Sequence, residues 1–479
     1  MLSMRSGRRS TAFGAAAAAV AGAAAMSWPL FWNGFPLVFW DTSEYLFRWV
    51  RLVPGFDRPL FYSLFLGVFH PLPFGLHVAA LAQALVTALL LFAVSGAFFP
   101  GRRVSVRALC FALLVSATPS AFHAATLMPD VSALWIGLAL PLLALAPSRA
   151  LAWGAAAVVA VSMTWHGANL PLVVLAAPAV LLAAREAGPG AGRAALLLAA
   201  AIAVHLVAVS WNASRAGLGF RPETGGTFFL AARLHESGTL ARALEAQAAR
   251  ESDPKRREAC LAFAKLEREF VEPEPFLWSE KSPLNRTFPG WRDELGAYRA
   301  ATAFLEPALL RGLAADPAPF LGTGWRNTLF MARGENLLGD FVPHPPGSGV
   351  DRVLAKHWSA DRARFRASRQ GREETPVREL FRFARTWELL APFLSTLGFG
   401  AGLSLAAMTV LRPRSHRAPA PALFGASLLS AVFALDLLVC GFLSGPSARY
   451  GERVMALPLL SLALAAFGGR SRSERTRKG

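Results

Sequence analysis

The chain has 479 residues, of which 54% are hydrophobic and 17% charged, with a mean hydropathy of +0.39. Soluble chains carry about a quarter charged residues, so an ordinary soluble multidomain protein is excluded. The net charge of +18 would suit a nucleic-acid partner only if it were gathered on one binding surface, and its distribution along the chain argues against that.

Apolar runs of spanning length begin at residues 12–32, after Arg5, Arg8 and Arg9. A basic start and the alanine run there would also fit a signal peptide, but the run continues through Trp28-Pro29-Leu30-Phe31 without a cleavage site. An outer loop over 33–70 follows, then runs at 74–98, 108–127, 131–146, 150–165, 169–184 and 194–211. A polar block over 212–386 precedes three more runs at 387–411, 420–443 and 453–468. The expectation is an all-α polytopic membrane protein of about ten transmembrane helices, with a mostly helical extracytoplasmic domain inserted between spans 7 and 8. Its parts are an N-terminal membrane core at 1–211, the inserted domain at 212–386, and a C-terminal membrane core with a basic tail at 387–479.

Lys and Arg in short loops collect on the cytoplasmic side. Here they gather at 5–9, 102–107, 149, 185–193, 412–417 and 470–478, leaving Arg48, Arg51, Arg58, Arg449 and Arg453 in short outer loops. Both termini are therefore expected in the cytoplasm, in a bacterial cytoplasmic membrane, with the active face outward. The inner loops hold most of the excess charge, so no nucleic-acid partner is expected.

The polar block alternates helical spacing with turn signals such as Gly225-Gly226, Asp253-Pro254 and Pro273-Glu274-Pro275. Apolar faces at Phe228-Phe229-Leu230 and Thr328-Leu329-Phe330-Met331 are expected to pack on the membrane core or skim its surface. Cys110, Cys260 and Cys440 form neither a disulfide framework nor a metal knot.

Chemistry concentrates in the first outer loop. Asp41 stands next to Trp40 and is followed by Glu44 and Tyr45. Desolvation at a membrane rim raises a carboxylate's pKa and suits it to deprotonating an acceptor; the alternative is a capping box over Asp41-Thr42-Ser43-Glu44. Asp57, Arg58 and Tyr62 close the loop, where an arginine fork suits phosphate and a loop-base salt bridge is the structural alternative. Asp130, in Met128-Pro129-Asp130, would cap the next span or orient a donor phosphate. His123 and His166 sit at outer span ends, and Arg233, with His235 and Glu236, opens the polar block. Arg449, Tyr450 and Arg453 suit an anion, or alternatively a lipid headgroup. Asp436 is an acid inside a span, expected to relay protons or to be hydrogen-bonded to a neighbouring helix.

A first span, an outer loop with an Asp a few residues before a Tyr, and an Arg-Pro-aromatic segment (Arg58-Pro59-Leu60-Phe61) entering the next span resemble the GT-C class of membrane glycosyltransferases. Met128-Pro129-Asp130 and Arg449-Tyr450 extend the resemblance across the membrane core. It implies a lipid-linked sugar donor on a polyprenyl phosphate or diphosphate, an extracytoplasmic acceptor of unknown identity, and Asp41 as the acid that activates the acceptor or, in some members, binds a metal. The first loop lacks Asp-X-Asp or Glu-X-Asp, so a divalent cation is unsupported and no other cofactor is expected. A transporter or lipid flippase, and a lipid-linked polymerase, ligase or phosphotransferase, are the alternative readings; in all of them membrane lipids are partners.

Overall fold

A computed structural model describes residues 2–52, 55–56, 58–99, 103–221, 225–270, 275–372, 382–411, 421–445 and 447–476. Asp57, the Pro273-Glu274 turn and the basic residues Arg102, Arg412, Arg414, Arg417, Arg477 and Lys478 lie outside them. Among the described residues every regular element is a helix, and β pairing is confined to one isolated parallel bridge between Leu37 and Thr126.

Among the described residues five helical stretches are long and apolar enough to cross a membrane: Gly75–Phe98, Asn169–Glu186, Ala191–Arg215, Pro421–Leu443 and Ala448–Phe467, the last made of a short helix, Ala448–Glu452, and a longer one that starts at Ala456. The first predicted run lies in a helix of 25 residues, Leu2–Met26, and among the described residues three others are apolar helices of 13–17 residues, namely Val104–Ser116, Val131–Leu145 and Arg149–Trp165. At 1.5 Å per residue these are shorter than a hydrocarbon core of about 30 Å. The run at 387–411 falls in a helix of 30 residues, Arg382–Leu411.

The run at 108–127 is not one helix. Val104–Ser116 ends before Pro119, and a five-residue helix, Ser120–Ala124, follows. Proline lacks the N–H a continuing helix needs and disfavours helical geometry in the residue before it. That break turns Ala125, Thr126 and Leu127 back toward the first loop: Leu37 N–H donates to Ala125 O at 3.1 Å, and Leu127 N–H to Leu37 O at 2.9 Å.

Val131–Leu145 is the centre of the main core, for all 15 of its residues are buried. A helix apolar on every side belongs inside a bundle rather than at its surface. Its few polar links run inward: Trp135 Nε1 donates to Thr87 Oγ1 at 2.8 Å and Asn169 Nδ2 to Ser132 Oγ at 2.7 Å.

The polar block divides between two cores. Phe228, Cys260, Phe263, Phe276, Trp291, Tyr298 and Phe304 form a second core of their own, joined by Phe56 from the first loop. Leu338, Phe341, Val350, Leu354, Trp358 and Phe365 instead join the main core. Phe228, expected against the membrane, is thus inside this second core, its ring centroid 4.1 Å from that of Trp291. The Thr328 segment does pack on a membrane-type helix: Pro317–Arg333 lies along Pro421–Leu443, with Gly324 and Gly441 at the contact. Small residues there let two backbones approach closely.

Candidate functional site

The loop that carries Asp41 is held from two distant parts of the chain. Leu37 bridges to Thr126 as above, and the Thr42 hydroxyl donates to Leu127 O at 3.2 Å while accepting from Phe39 N–H at 3.0 Å. On the other side Gln370 accepts from Val38 N–H and donates back to Val38 O, both at 3.1 Å, and Asn33 Oδ1 accepts from Gln370 N–H. Such clamping fixes a loop that would otherwise adopt many conformations.

Asp41 occupies the N-cap position of Thr42–Arg51 but makes no side-chain capping bond. The capping-box reading therefore fails, and Glu44, half-exposed, pairs with Arg48 at 3.3 Å instead of reaching back. The Asp41 carboxylate is spread between two arginines. Oδ1 meets Arg58 Nη2 at 2.8 Å and Oδ2 meets Arg449 Nη1 at 3.5 Å. A quarter of the Asp41 side chain is exposed, 25%, against 13% for Arg58 and 19% for Arg449.

Around this pair the aromatic residues form a lining. Arg58 lies over the rings of Tyr45 and Trp278, and its Nη1 donates to the Tyr45 hydroxyl at 3.4 Å. Arg449 lies over Phe39 and donates to the Tyr450 hydroxyl at 3.1 Å. Trp40 is exposed beside Asp41, with its ring edge-on to His344 at 4.7 Å.

A second ion network lies directly beneath. Arg453, fully buried, places Nε and Nη2 on the two oxygens of Asp436 at 3.2 and 2.7 Å, and Nη1 3.5 Å from Asp130 Oδ1. Its Nη2 also meets Cys440 Sγ at 3.1 Å. Asp130 Oδ2 is buried with no hydrogen-bond partner. Asp130 stands at the N-terminus of the buried Val131–Leu145 helix, again without a side-chain capping bond. Glu452 ties the same turn to the rest: it meets His123 Nε2 at 3.1 Å and accepts from Leu338 N–H.

Electrostatics follow from these contacts. Burial pushes the Asp41 carboxyl up, but Arg58 and Arg449 outweigh it and hold the group below the usual carboxylate range. The raised pKa expected from desolvation is therefore corrected: two adjacent cations decide the sign. Asp130 follows the same logic, with Arg449 and Arg453 overcoming burial to bring it down to about 2. Burial, with Arg453 nearby, pushes His166 down to about 3, and its Nδ1 accepts from Ala168 N–H at 3.2 Å. Burial raises Tyr45 to about 12.

The residues expected at the site therefore separate by position. Asp41, Tyr45, Arg58, Asp130, His166, Arg449 and Tyr450 converge. Arg453 is present but its guanidinium is taken by Asp436 and Asp130, so it positions the acids instead of meeting an anion. Tyr62 is fully buried and donates to Gln83 Oε1 at 2.6 Å, which makes it part of the scaffold. Buried Arg233 pairs with Glu236, whose carboxylate also accepts from Asn327 at 3.2 Å. Asp57 lies outside the described residues. Trp278, Glu452 and Cys440 were not anticipated. Glu452 stood in the same short outer loop as Arg449 and Arg453, where an acid between arginines was a usable signal; Trp278 had none.

Among the described residues no group of three or more His, Cys, Asp or Glu side chains is placed to hold a metal ion. Comparisons with protein-family models, with curated proteins and with solved structures gave no match.

Proposed function

We propose that the chain is a membrane glycosyltransferase that moves a sugar from a polyprenyl-phosphate-linked donor to an extracytoplasmic acceptor. The observation that carries this reading is Asp41, held between Arg58 and Arg449 and still a quarter exposed. A carboxylate kept ionised and partly exposed can accept a proton, and Arg449, whose Nε has no hydrogen-bond partner, has a further N–H group for a leaving phosphate.

In the proposed step an acceptor hydroxyl gives its proton to Asp41 and its oxygen attacks the anomeric carbon from the face opposite the phosphate. The carbon–oxygen bond to the acceptor forms as the bond to the phosphate oxygen breaks. Negative charge grows on that oxygen, where Arg58 and Arg449 oppose it. Charge stabilisation of this kind is commonly the largest catalytic contribution. Trp40 offers an aromatic face to the sugar beside the base. Asp130, with one unpartnered oxygen, accepts a sugar or acceptor hydroxyl.

The same reading places about ten spans in a bacterial cytoplasmic membrane, both termini in the cytoplasm and this cluster outside, in keeping with the positive-inside distribution of arginine. A transporter or flippase would need a polar path at mid-membrane. Asp436, the acid a path would use, is closed off by Arg453 and Cys440, which favours the enzyme.

Lipid and glycan mass spectrometry of a deletion strain tests the assignment. Loss of one glycan with accumulation of a polyprenyl-linked sugar is expected. An unchanged glycan and lipid profile would refute it.

A further inference from the structure

The charges of the cluster balance one another. Among the described residues Arg58, Arg449 and Arg453 face Asp41, Asp130 and Asp436, three cations against three anions. A balanced cluster orients an anionic ligand but has little net field with which to draw it from water. A further cation adjoins it from the outer domain. Arg292 and Arg58 both lie against the Trp278 ring, with Cζ 5.2 and 5.8 Å from its centroid. Their guanidinium carbons are thus no more than about 11 Å apart, the sum of those two distances.

Arg292 differs from the arginines of the cluster in one respect. It is half-buried, and among the described residues no carboxylate pairs with it. Its neighbour Trp291 is fixed in the outer core, with Nε1 donating to Asn285 Oδ1 at 2.9 Å. Trp278 is set by the same segment, since Asn285 Nδ2 donates to Leu277 O at 3.2 Å. This second core therefore delivers a cation and its aromatic support to the edge of the site.

Resting on the glycosyltransferase reading, we infer that Trp278 and Arg292 form a second anion site next to Arg58, so that the lipid carrier bound here bears two linked phosphates instead of one. One phosphoryl group meets Arg58 and Arg449 at the reacting end, and the other meets Arg292. Arginine's planar fork suits each, and Trp278 holds both guanidinium groups by cation–π contact.

Calorimetric titration of the full purified chain in detergent, with farnesyl phosphate and farnesyl diphosphate as probes, tests this. The diphosphate is expected to bind about tenfold more tightly than the monophosphate. Arg292→Gln should remove that preference while leaving monophosphate affinity within about twofold, and Trp278→Leu should reduce it; an unchanged melting temperature for each variant controls for folding. Equal affinity for the two probes in the parent protein, or an undiminished preference in Arg292→Gln, would overturn the second anion site alone. Binding of neither probe would overturn the lipid-phosphate reading and this inference with it.

Discussion

Asp41 and Arg449 stand 408 positions apart in the chain and meet at 3.5 Å. One comes from the loop after the first apolar run and the other from the short helix Ala448–Glu452 that precedes the last apolar helix, so the contact joins the two ends of the chain at the candidate site. Arg58 completes it from the same loop as Asp41.

Arg453 is the central support of the buried network. Replacing it with Met leaves Asp436 and Asp130 buried without their cation, which costs about 3–5 kcal/mol when one partner of a buried pair is removed. The double variant Arg453→Met with Asp436→Leu should recover part of that loss. Thermal unfolding in detergent, arranged as a double-mutant cycle, measures the coupling; strictly additive losses would contradict the pairing.

The seam between Pro317–Arg333 and Pro421–Leu443 is set by glycine. A Cβ on Gly441 would fall 2.2 Å from Thr328 Oγ1 and 2.8 Å from Gly324 O, the second a backbone atom that cannot swing aside. Gly441→Ala is expected to destabilise by about 1–3 kcal/mol. Gly154→Ala, which meets nothing within 4 Å in a helix, should be neutral or stabilising by up to about 1 kcal/mol. Melting temperatures of the two variants give the comparison.

His344 is buried, with Nε2 donating to Val38 O at 3.4 Å, and burial pushes its pKa down to about 4. The unfolded chain takes up a proton near pH 6.5 that the folded chain refuses, so stability falls as pH drops from about 6.5 to about 4. His166, pushed down to about 3, adds a loss of the same sign over a wider window. Asp130 contributes stability above the usual carboxylate pKa of about 3.9, and this is lost as pH falls through its folded value of about 2. His344→Gln should flatten the melting-temperature profile between about pH 6.5 and 4, by an amount on the order of 2 kcal/mol; an unchanged slope would contradict the buried neutral imidazole.

Much of the fold was legible because it follows from local pattern. Apolar runs marked the helices, and Pro119 explains where one of those runs breaks. What the runs could not convey was depth: Val131–Leu145 reads as one more span but is buried on all sides, because burial depends on the number of neighbours and not on the segment's own composition. The site was legible residue by residue and not as a set. Asp41, Arg58, Asp130 and Arg449 each stood out by placing charge beside an apolar run, yet apart from the Asp41–Arg58 pair within one loop they are brought together by tertiary contacts hundreds of residues apart, 408 for Asp41 and Arg449 and 323 for Asp130 and Arg453. For the same reason the Asp41 pKa was expected on the wrong side of its ordinary value, since the sequence suggested the burial and did not reveal both arginines. Trp278 and Arg292 lie in a segment whose local pattern is that of any polar helical domain.

The central claim is that Asp41, held ionised by Arg58 and Arg449, is the base for transfer. Asp41→Asn keeps the size of the side chain and one of the two oxygens that accept from Arg58 and Arg449 while removing its charge, and should leave expression and membrane insertion intact. The direct measurement is sugar transfer from lipid-linked donor to acceptor in membranes from the deletion strain complemented with Asp41→Asn. A fall of at least about a hundredfold, the lower range for loss of a general base, is predicted; full transfer by this variant would contradict the account.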